Sequence, residues 1–172
     1  MAPTAASFFE TLHTPIGPLT LAADAHALIR IAFGAAAAPD RPGPVTRRAA
    51  AELIAYFAGE RTAFDMPTVP ALTPFQAQVL RAVTQVPFGA TASYGEIARR
   101  IGKPGAARAV GLANRSNPLP IVIPCHRIVG ADGRLTGYAG GLGVKTWLID
   151  HERTTARALA AHAGPSVGAL AG

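Results

Sequence analysis

The chain has a single cysteine, Cys125, among 172 residues. No intramolecular disulfide can form, and a structural zinc site built from several cysteines is excluded. No stretch reaches the ~18 unbroken apolar residues of a membrane span. The first ten residues, Met1 to Glu10, lack a basic start and an apolar run, so no signal peptide is read there and a cytoplasmic protein is expected. Charge is scarce, at 15% of residues, while 49% are hydrophobic. That balance argues against disorder and for one large domain or two small ones with a packed core.

What charge there is falls unevenly. Residues 1–75 carry five arginines against six acids, whereas residues 76–153 carry ten Lys or Arg against four acids. A basic second half is suited to a polyanion, although a solvated basic surface would give the same count. The lone thiol also has two readings. Free cysteines are commonly small buried hydrophobes. A nucleophilic cysteine needs a base or positive charge nearby.

Short apolar runs at Ser7–His13, Leu19–Ala23 and Leu28–Phe33 read as strands, the first two joined through Pro15-Ile16-Gly17-Pro18 as a β-hairpin with a longer loop. Thr46 is expected to cap a helix that runs to Ala58, with Ala50, Leu53, Ile54 and Phe57 on one face. Pro67 and Pro70 mark a linker, which divides the chain into residues 1–72 and 73–153, with 154–172 a loosely ordered tail. Thr73-Pro74 opens a further helix, with threonine as N-cap and proline at the first position. Ser93 caps another that begins at Tyr94, and Glu96 completes a capping box. After Gly102-Lys103-Pro104-Gly105, a helix spans Ala106–Arg115.

That last pair has a helix-turn-helix pattern. Its second helix is built from small residues, Ala106, Ala107, Ala109, Gly111 and Ala113, so it can lie close to a core or to a nucleic-acid groove. Arg108 and Arg115 are seven apart, share a face, and favour the groove. Ile121, Val122 and Ile123 form an extended, buried stretch, and Val144–His151 a final helix.

Cys125 follows Pro124 and precedes His126-Arg127. An imidazole can take the thiol proton, and a guanidinium can stabilise the sulfur anion. In an extended chain, however, neighbouring side chains point to opposite faces, so direct contact of Cys125 and His126 would need a turn or a bridging water. A basic histidine also needs an orienting partner, for which Asp150 and Glu152 are the nearby acids. Lys145 and Glu152, seven apart, line one stripe of the final helix.

The run IPCHRIVGADGRLTGYAGGLGVKTWLIDHE, Ile123–Glu152, resembles the O6-alkylguanine-DNA alkyltransferases, also called methylated-DNA–protein-cysteine methyltransferases. The resemblance continues through Phe75, Pro87-Phe88-Gly89, Ser93–Ala98, Ala106–Gly111 and Asn117-Pro118, and more weakly through Thr14–Leu19. It implies an α/β (α+β) protein. A ribonuclease-H-like N-terminal domain with an antiparallel sheet and helix would precede a mainly helical, winged helix-turn-helix domain that carries the active site. It implies that Cys125 accepts an alkyl group, once and irreversibly, from O6-alkylguanine flipped out of duplex DNA, and extends the expected lesions to O4-alkylthymine.

In the family, Glu152, His126 and a water form the relay that deprotonates the cysteine. Tyr94 would protonate the leaving base, and Lys145 and Tyr138 would surround it. Asn117 would join the helix-turn-helix to the active-site segment. Pro120, Ile128, Ala139 and Gly140 would line the pocket. Arg108 would fill the gap left in the duplex, and Ser93, Ala106, Ala107, Ala109, Gly111, Asn114 and Arg115 would lie along the DNA. Ala139 stands where many relatives have serine. Some relatives hold zinc through N-terminal cysteines, which are missing here, so no metal and no cofactor are expected. The resemblance also implies a monomer that can load cooperatively onto DNA. A cysteine hydrolase and a non-catalytic lesion-binding module are the alternatives.

Overall fold

The computed structural model describes residues 6–37 and 39–162. Three strands open the chain: β1 Phe8–Thr14, β2 Gly17–Ala23 and β3 Leu28–Phe33. They form an antiparallel sheet in the order β1-β2-β3. Pro15 and Ile16 make the first turn, a two-residue connection and not the expected longer loop, because Thr14 pairs with Gly17, whose φ of 96° takes the left-handed conformation that turns the chain back. The Thr14 hydroxyl closes the turn on the Gly17 carbonyl at 2.6 Å.

Helix α1, Pro44–Phe57, packs on this sheet. It starts two residues before the expected Thr46 cap. Pro44 occupies the first helical turn, where its missing N–H is harmless, and Gly43 is the cap. Thr46 instead reaches back and accepts from the Gly43 amide at 2.9 Å. Leu19, Leu21 and Leu28 of the sheet meet Ala49, Leu53 and Tyr56 of α1 in a core that also takes in Leu119, Ile121 and Leu148. The two halves of the chain therefore share buried surface.

The second half contains α2 Pro74–Thr84, β4 Ala92–Ser93, α3 Tyr94–Arg100, α4 Ala107–Arg115, β5 Ile128–Val129 and α5 Leu142–His162. Thr73 and Ser93 cap α2 and α3, each with a full capping box. Val79, Val83, Ile97, Val110 and Ile128 form the centre of a second core. β4 and β5 pair in parallel, Ala92 with Ile128 and Ser93 with Val129.

Two further expectations change here. The tail expected from residue 154 is helical as far as His162, because α5 continues without a break; the remainder of that tail lies outside the described residues. The stretch 117–124 is not an extended strand. Pro118, Pro120 and Pro124 each lack an amide donor, so no ladder can form. The segment folds into turns, with the Ile123 amide on the Leu119 carbonyl at 2.8 Å. Ile121 is buried, while Val122 and Ile123 are half-buried. Ile121 has φ of 75°, a costly conformation for a β-branched residue. No helix among the described residues is long and apolar enough to cross a membrane.

Candidate active site and nucleic-acid interface

The turns after α4 deliver Cys125. Pro124, at φ −79° and ψ 61°, makes an inverse γ-turn whose bond runs from the Cys125 amide to the Ile123 carbonyl at 2.7 Å. Cys125–Arg127 then form one turn of 3-10 helix. The chain is therefore not extended at the cysteine, and the thiol and imidazole are not forced to opposite faces. Asn114 and Asn117 hold the segment in place. Asn114 donates to the Cys125 carbonyl at 3.1 Å, and Asn117 donates to the Ile123 carbonyl at 2.8 Å.

Cys125 is 4% exposed. Burial pushes its thiol up, while Asn117, Tyr138 and Lys145 pull the other way. A thiol held in this way needs a base. His126 is completely buried, and Nε2 lies 2.8 Å from Glu152 Oε1. Burial lowers the histidine pKa against the opposing pull of Glu152, so the ring is neutral at neutral pH. Glu152 is ionised. Burial alone would raise its carboxyl, but hydrogen bonds and charge from His126 and Arg127 hold it at about 2. A carboxylate can only accept, so His126 carries its proton on Nε2. Nδ1 is left with a free lone pair and has no hydrogen-bond partner among the described residues. The pair has the arrangement of a general base, an imidazole with one nitrogen held by a carboxylate and the other free to accept a proton.

Glu152 is the most heavily bonded group in the site. Oε1 accepts from Tyr56 at 2.9 Å, from His126 at 2.8 Å and from Arg127 Nη2 at 3.0 Å. Oε2 accepts from Arg127 Nε at 2.8 Å and from the Gly89 amide at 3.1 Å. Of the two acids weighed in the sequence, the structure brings Glu152 to the histidine and leaves Asp150 exposed. Arg127 does not serve the sulfur as its position suggested. Its guanidinium turns to Glu152 and to the Val86 carbonyl, 2.6 Å away.

Lys145 is fully buried one turn into α5. It donates to the Ile128 carbonyl at 2.6 Å and the Thr136 carbonyl at 3.1 Å, and lies 6.0 Å from the centre of the Tyr94 ring. Burial lowers its pKa. The Tyr94 hydroxyl accepts from Thr136 at 2.9 Å. Tyr138 meets Phe33 of β3 edge-on at 5.6 Å. A cleft of about 610 Å³ between the β3 edge and the turns after α4 is lined by Phe33, Asn117, Pro120 and Ala139. Gly140 faces the same phenylalanine.

On the other side, Tyr94, Ala107, Arg108, Gly111, Leu112 and Arg115 line an open groove of about 700 Å³. Arg108, Ala109, Leu112 and Arg115 are exposed along α4, and Ala106, Ala107 and Gly111 are half-buried. This is a shallow, basic helix face with little side-chain bulk. Asn114 does not belong to it. It is buried, and its amide is spent on the Cys125 carbonyl. Ser93 is occupied as the cap of α3, accepting from the Glu96 amide at 3.1 Å.

Sequence reasoning missed Tyr56 and Gly89 as partners of Glu152, and Phe33 as the neighbour of Gly140. Gly89 could have been found from the Pro87-Phe88-Gly89 block. Tyr56 and Phe33 occupy ordinary apolar positions of a helix and a strand, and nothing in their spacing sets them apart.

Two family models span nearly the whole chain. The ribonuclease-like domain of 6-O-methylguanine DNA methyltransferase matches residues 8–70, and the DNA-binding domain of the same family matches residues 74–154. The chain belongs to the 6-O-methylguanine DNA methyltransferase family. It is 44% identical over 152 residues to the methylated-DNA–protein-cysteine methyltransferase of Methanosarcina acetivorans, covering 84% of this chain and 97% of that protein. It is 47% identical over 156 residues to the Mycobacterium bovis protein of the same name, with 87% and 94% covered. Among solved structures, Mycobacterium tuberculosis OGT in complex with DNA superposes with a TM-score of 0.79 at 46% identity, covering 86% of this chain and 93% of that one.

Proposed function

We propose that this protein repairs duplex DNA by moving the alkyl group of an O6-alkylguanine onto Cys125. The observation that carries the reading is the buried Cys125 thiol on the same turn as His126, whose Nε2 is gripped by ionised Glu152 at 2.8 Å. His126 Nδ1 takes the thiol proton, directly or through a water. The sulfur attacks the alkyl carbon in line, the S–C bond forms, and the C–O6 bond breaks with its electron pair leaving on the guanine. The guanine is reprotonated, with Tyr94 the donor and Lys145 the neighbouring cation. A thioether has no easy route back, so each molecule reacts once, and the reaction as written consumes no cofactor.

A sulfur this deeply buried cannot reach the alkyl carbon of a stacked base. The nucleotide must be flipped, at a cost of a few kcal/mol. The exposed face of α4, with Arg108 and Arg115 around small residues, is the element we assign to the DNA, and Arg108 is the side chain that fills the space left by the base. We assign Pro120 and Ala139, with the neighbouring Tyr138 and Gly140, to the pocket wall; Ile128 is fully buried in the second core and contributes its carbonyl, which accepts from Lys145. We infer that the protein acts as a monomer, and that O4-alkylthymine is a second lesion. A reactive free thiol and a DNA substrate favour the reducing cytoplasm.

Incubation with duplex DNA carrying O6-methylguanine, followed by intact and peptide mass measurement, tests the reading. One methyl group on the Cys125 peptide and a stoichiometric end point are expected. Multiple turnover with unmodified protein would instead make it a hydrolase, and binding without modification a lesion sensor.

A further inference from the structure

We propose that Tyr56, a residue of the N-terminal half, is a positioning residue for alkyl transfer: its hydroxyl fixes the Glu152 carboxylate in the orientation in which it grips His126. The inference rests on the alkyl-transfer reading above and gives the N-terminal half a part in the chemistry.

A buried tyrosine must place its hydroxyl somewhere, and a backbone carbonyl would suffice. Tyr56 is completely buried, and it chooses Glu152 Oε1, the same oxygen that accepts from His126 Nε2. The contact joins residues 96 apart in the chain. The phenol lies in an aromatic cluster. The rings of Phe57, Phe64, Phe88 and His151 surround it at centroid distances of 5.3–6.2 Å. Its backbone is tied to the same helix, because His151 Nε2 donates to the Tyr56 carbonyl at 2.8 Å. Two consecutive residues of α5 thus bracket one residue of α1. Burial and the neighbouring carboxylate push the phenol pKa up, so Tyr56 remains a donor throughout the accessible pH range.

The charged and titratable groups around the pair come from every packed element. They are Tyr56 from α1, Cys125, His126 and Arg127 from the 3-10 turn, Tyr138 from the loop before α5, and Lys145, His151 and Glu152 from α5. Without the Tyr56 hydroxyl, Oε1 keeps only His126 and Arg127. The carboxylate is then freer to rotate, and it becomes a stronger acceptor for the histidine N–H. His126 holds a proton more tightly at rest and is less often free to take one from the thiol.

The test uses the full chain, free O6-benzylguanine as the alkyl donor, and two variants. Tyr56→Phe removes one oxygen and keeps the ring. Phe64→Leu disturbs the same aromatic cluster and leaves the hydroxyl. Loss of one charge-assisted hydrogen bond is expected to slow benzyl transfer by Tyr56→Phe about tenfold near neutral pH. The acid limb of its rate–pH profile is expected at higher pH than in the parent. Phe64→Leu is expected to lower the melting temperature while leaving rate and acid limb unchanged. A Tyr56→Phe protein with the parent's rate and acid limb overturns the inference, as does a Phe64→Leu protein that shifts both in the same way. If the parent itself gains no benzyl mass on Cys125, the alkyl-transfer reading fails first, and the two failures are distinguishable.

Discussion

Phe33 of β3 occupies the space that a side chain on Gly140 would need. An added Cβ would sit 2.8 Å from one ring carbon of Phe33 and 2.9 Å and 3.0 Å from two more. The N-terminal sheet therefore braces the glycine loop beside the cleft. Gly140→Ala is expected to cost about 1–3 kcal/mol through overpacking. Phe33→Leu in the same chain is expected to recover most of that loss. Urea unfolding of the two single variants and the double variant measures the coupling, and strictly additive losses would contradict the contact.

Glu152 predicts a specific acid sensitivity. Its folded pKa, about 2, lies below the ordinary 4.5. A depressed carboxyl contributes stability that is present above the unfolded value and is lost as pH falls toward the folded one. The contribution is on the order of 3 kcal/mol, and it disappears between about pH 5 and about pH 2. Glu152→Gln lacks this titration, so the stability gap between parent and variant is expected to narrow across that window. Denaturant unfolding at several pH values checks it. Glu152→Gln is also expected to slow transfer strongly. Glu152→Ala is the poorer test, because it leaves the Arg127 guanidinium and the Tyr56 hydroxyl buried without their acceptor.

Arg108 is exposed on α4, away from the buried relay. Arg108→Ala is expected to weaken binding to alkylated duplex and slow repair, with little change in reaction with free O6-benzylguanine. The dependence of log K on log salt is expected to become shallower by about one if Arg108 also neutralises a phosphate. Equal losses on DNA and on the free base would remove Arg108 from the DNA face.

Asn114 predicts the opposite pattern from its near neighbour. Its amide holds the Cys125 carbonyl at 3.1 Å from inside the protein. Asn114→Ala is expected to cost about 1–2 kcal/mol of stability. It is expected to slow transfer from both donors alike, because it loosens the nucleophile and not the DNA contact. Parallel rates on duplex and free base decide between the two roles.

Much of this architecture is written locally. Thr73-Pro74 and Ser93…Glu96 announce helix starts because capping is a short-range chemistry. The PCHR block displays nucleophile and base side by side, and the need to orient the histidine points to two acids, Asp150 and Glu152, between which the family resemblance, not the spacing, chooses Glu152. Three features escaped. Proline-rich residues 117–124 have an apolar, β-branched composition that imitates a strand, and the missing donors, not the side chains, decide the fold. The alanine-rich residues 154–162 have good helix propensity but no apolar stripe, and α5 simply propagates through them. Tyr56 and Phe33 reach the site only through tertiary packing across the two halves, for which no local pattern exists.

Helix α5 carries both ionic poles of the site, Lys145 and Glu152, seven residues apart and both buried. Two turns of α-helix set their spacing at about 10 Å. The helix is thus a molecular ruler, and its gauge is indexed in whole residues. Removing or adding one residue between these positions would rotate Glu152 by about 100° and carry it away from His126, Arg127 and Tyr56 together. Length here is a coded quantity, and the segment from 145 to 152 can drift in composition on its outer face but not in register.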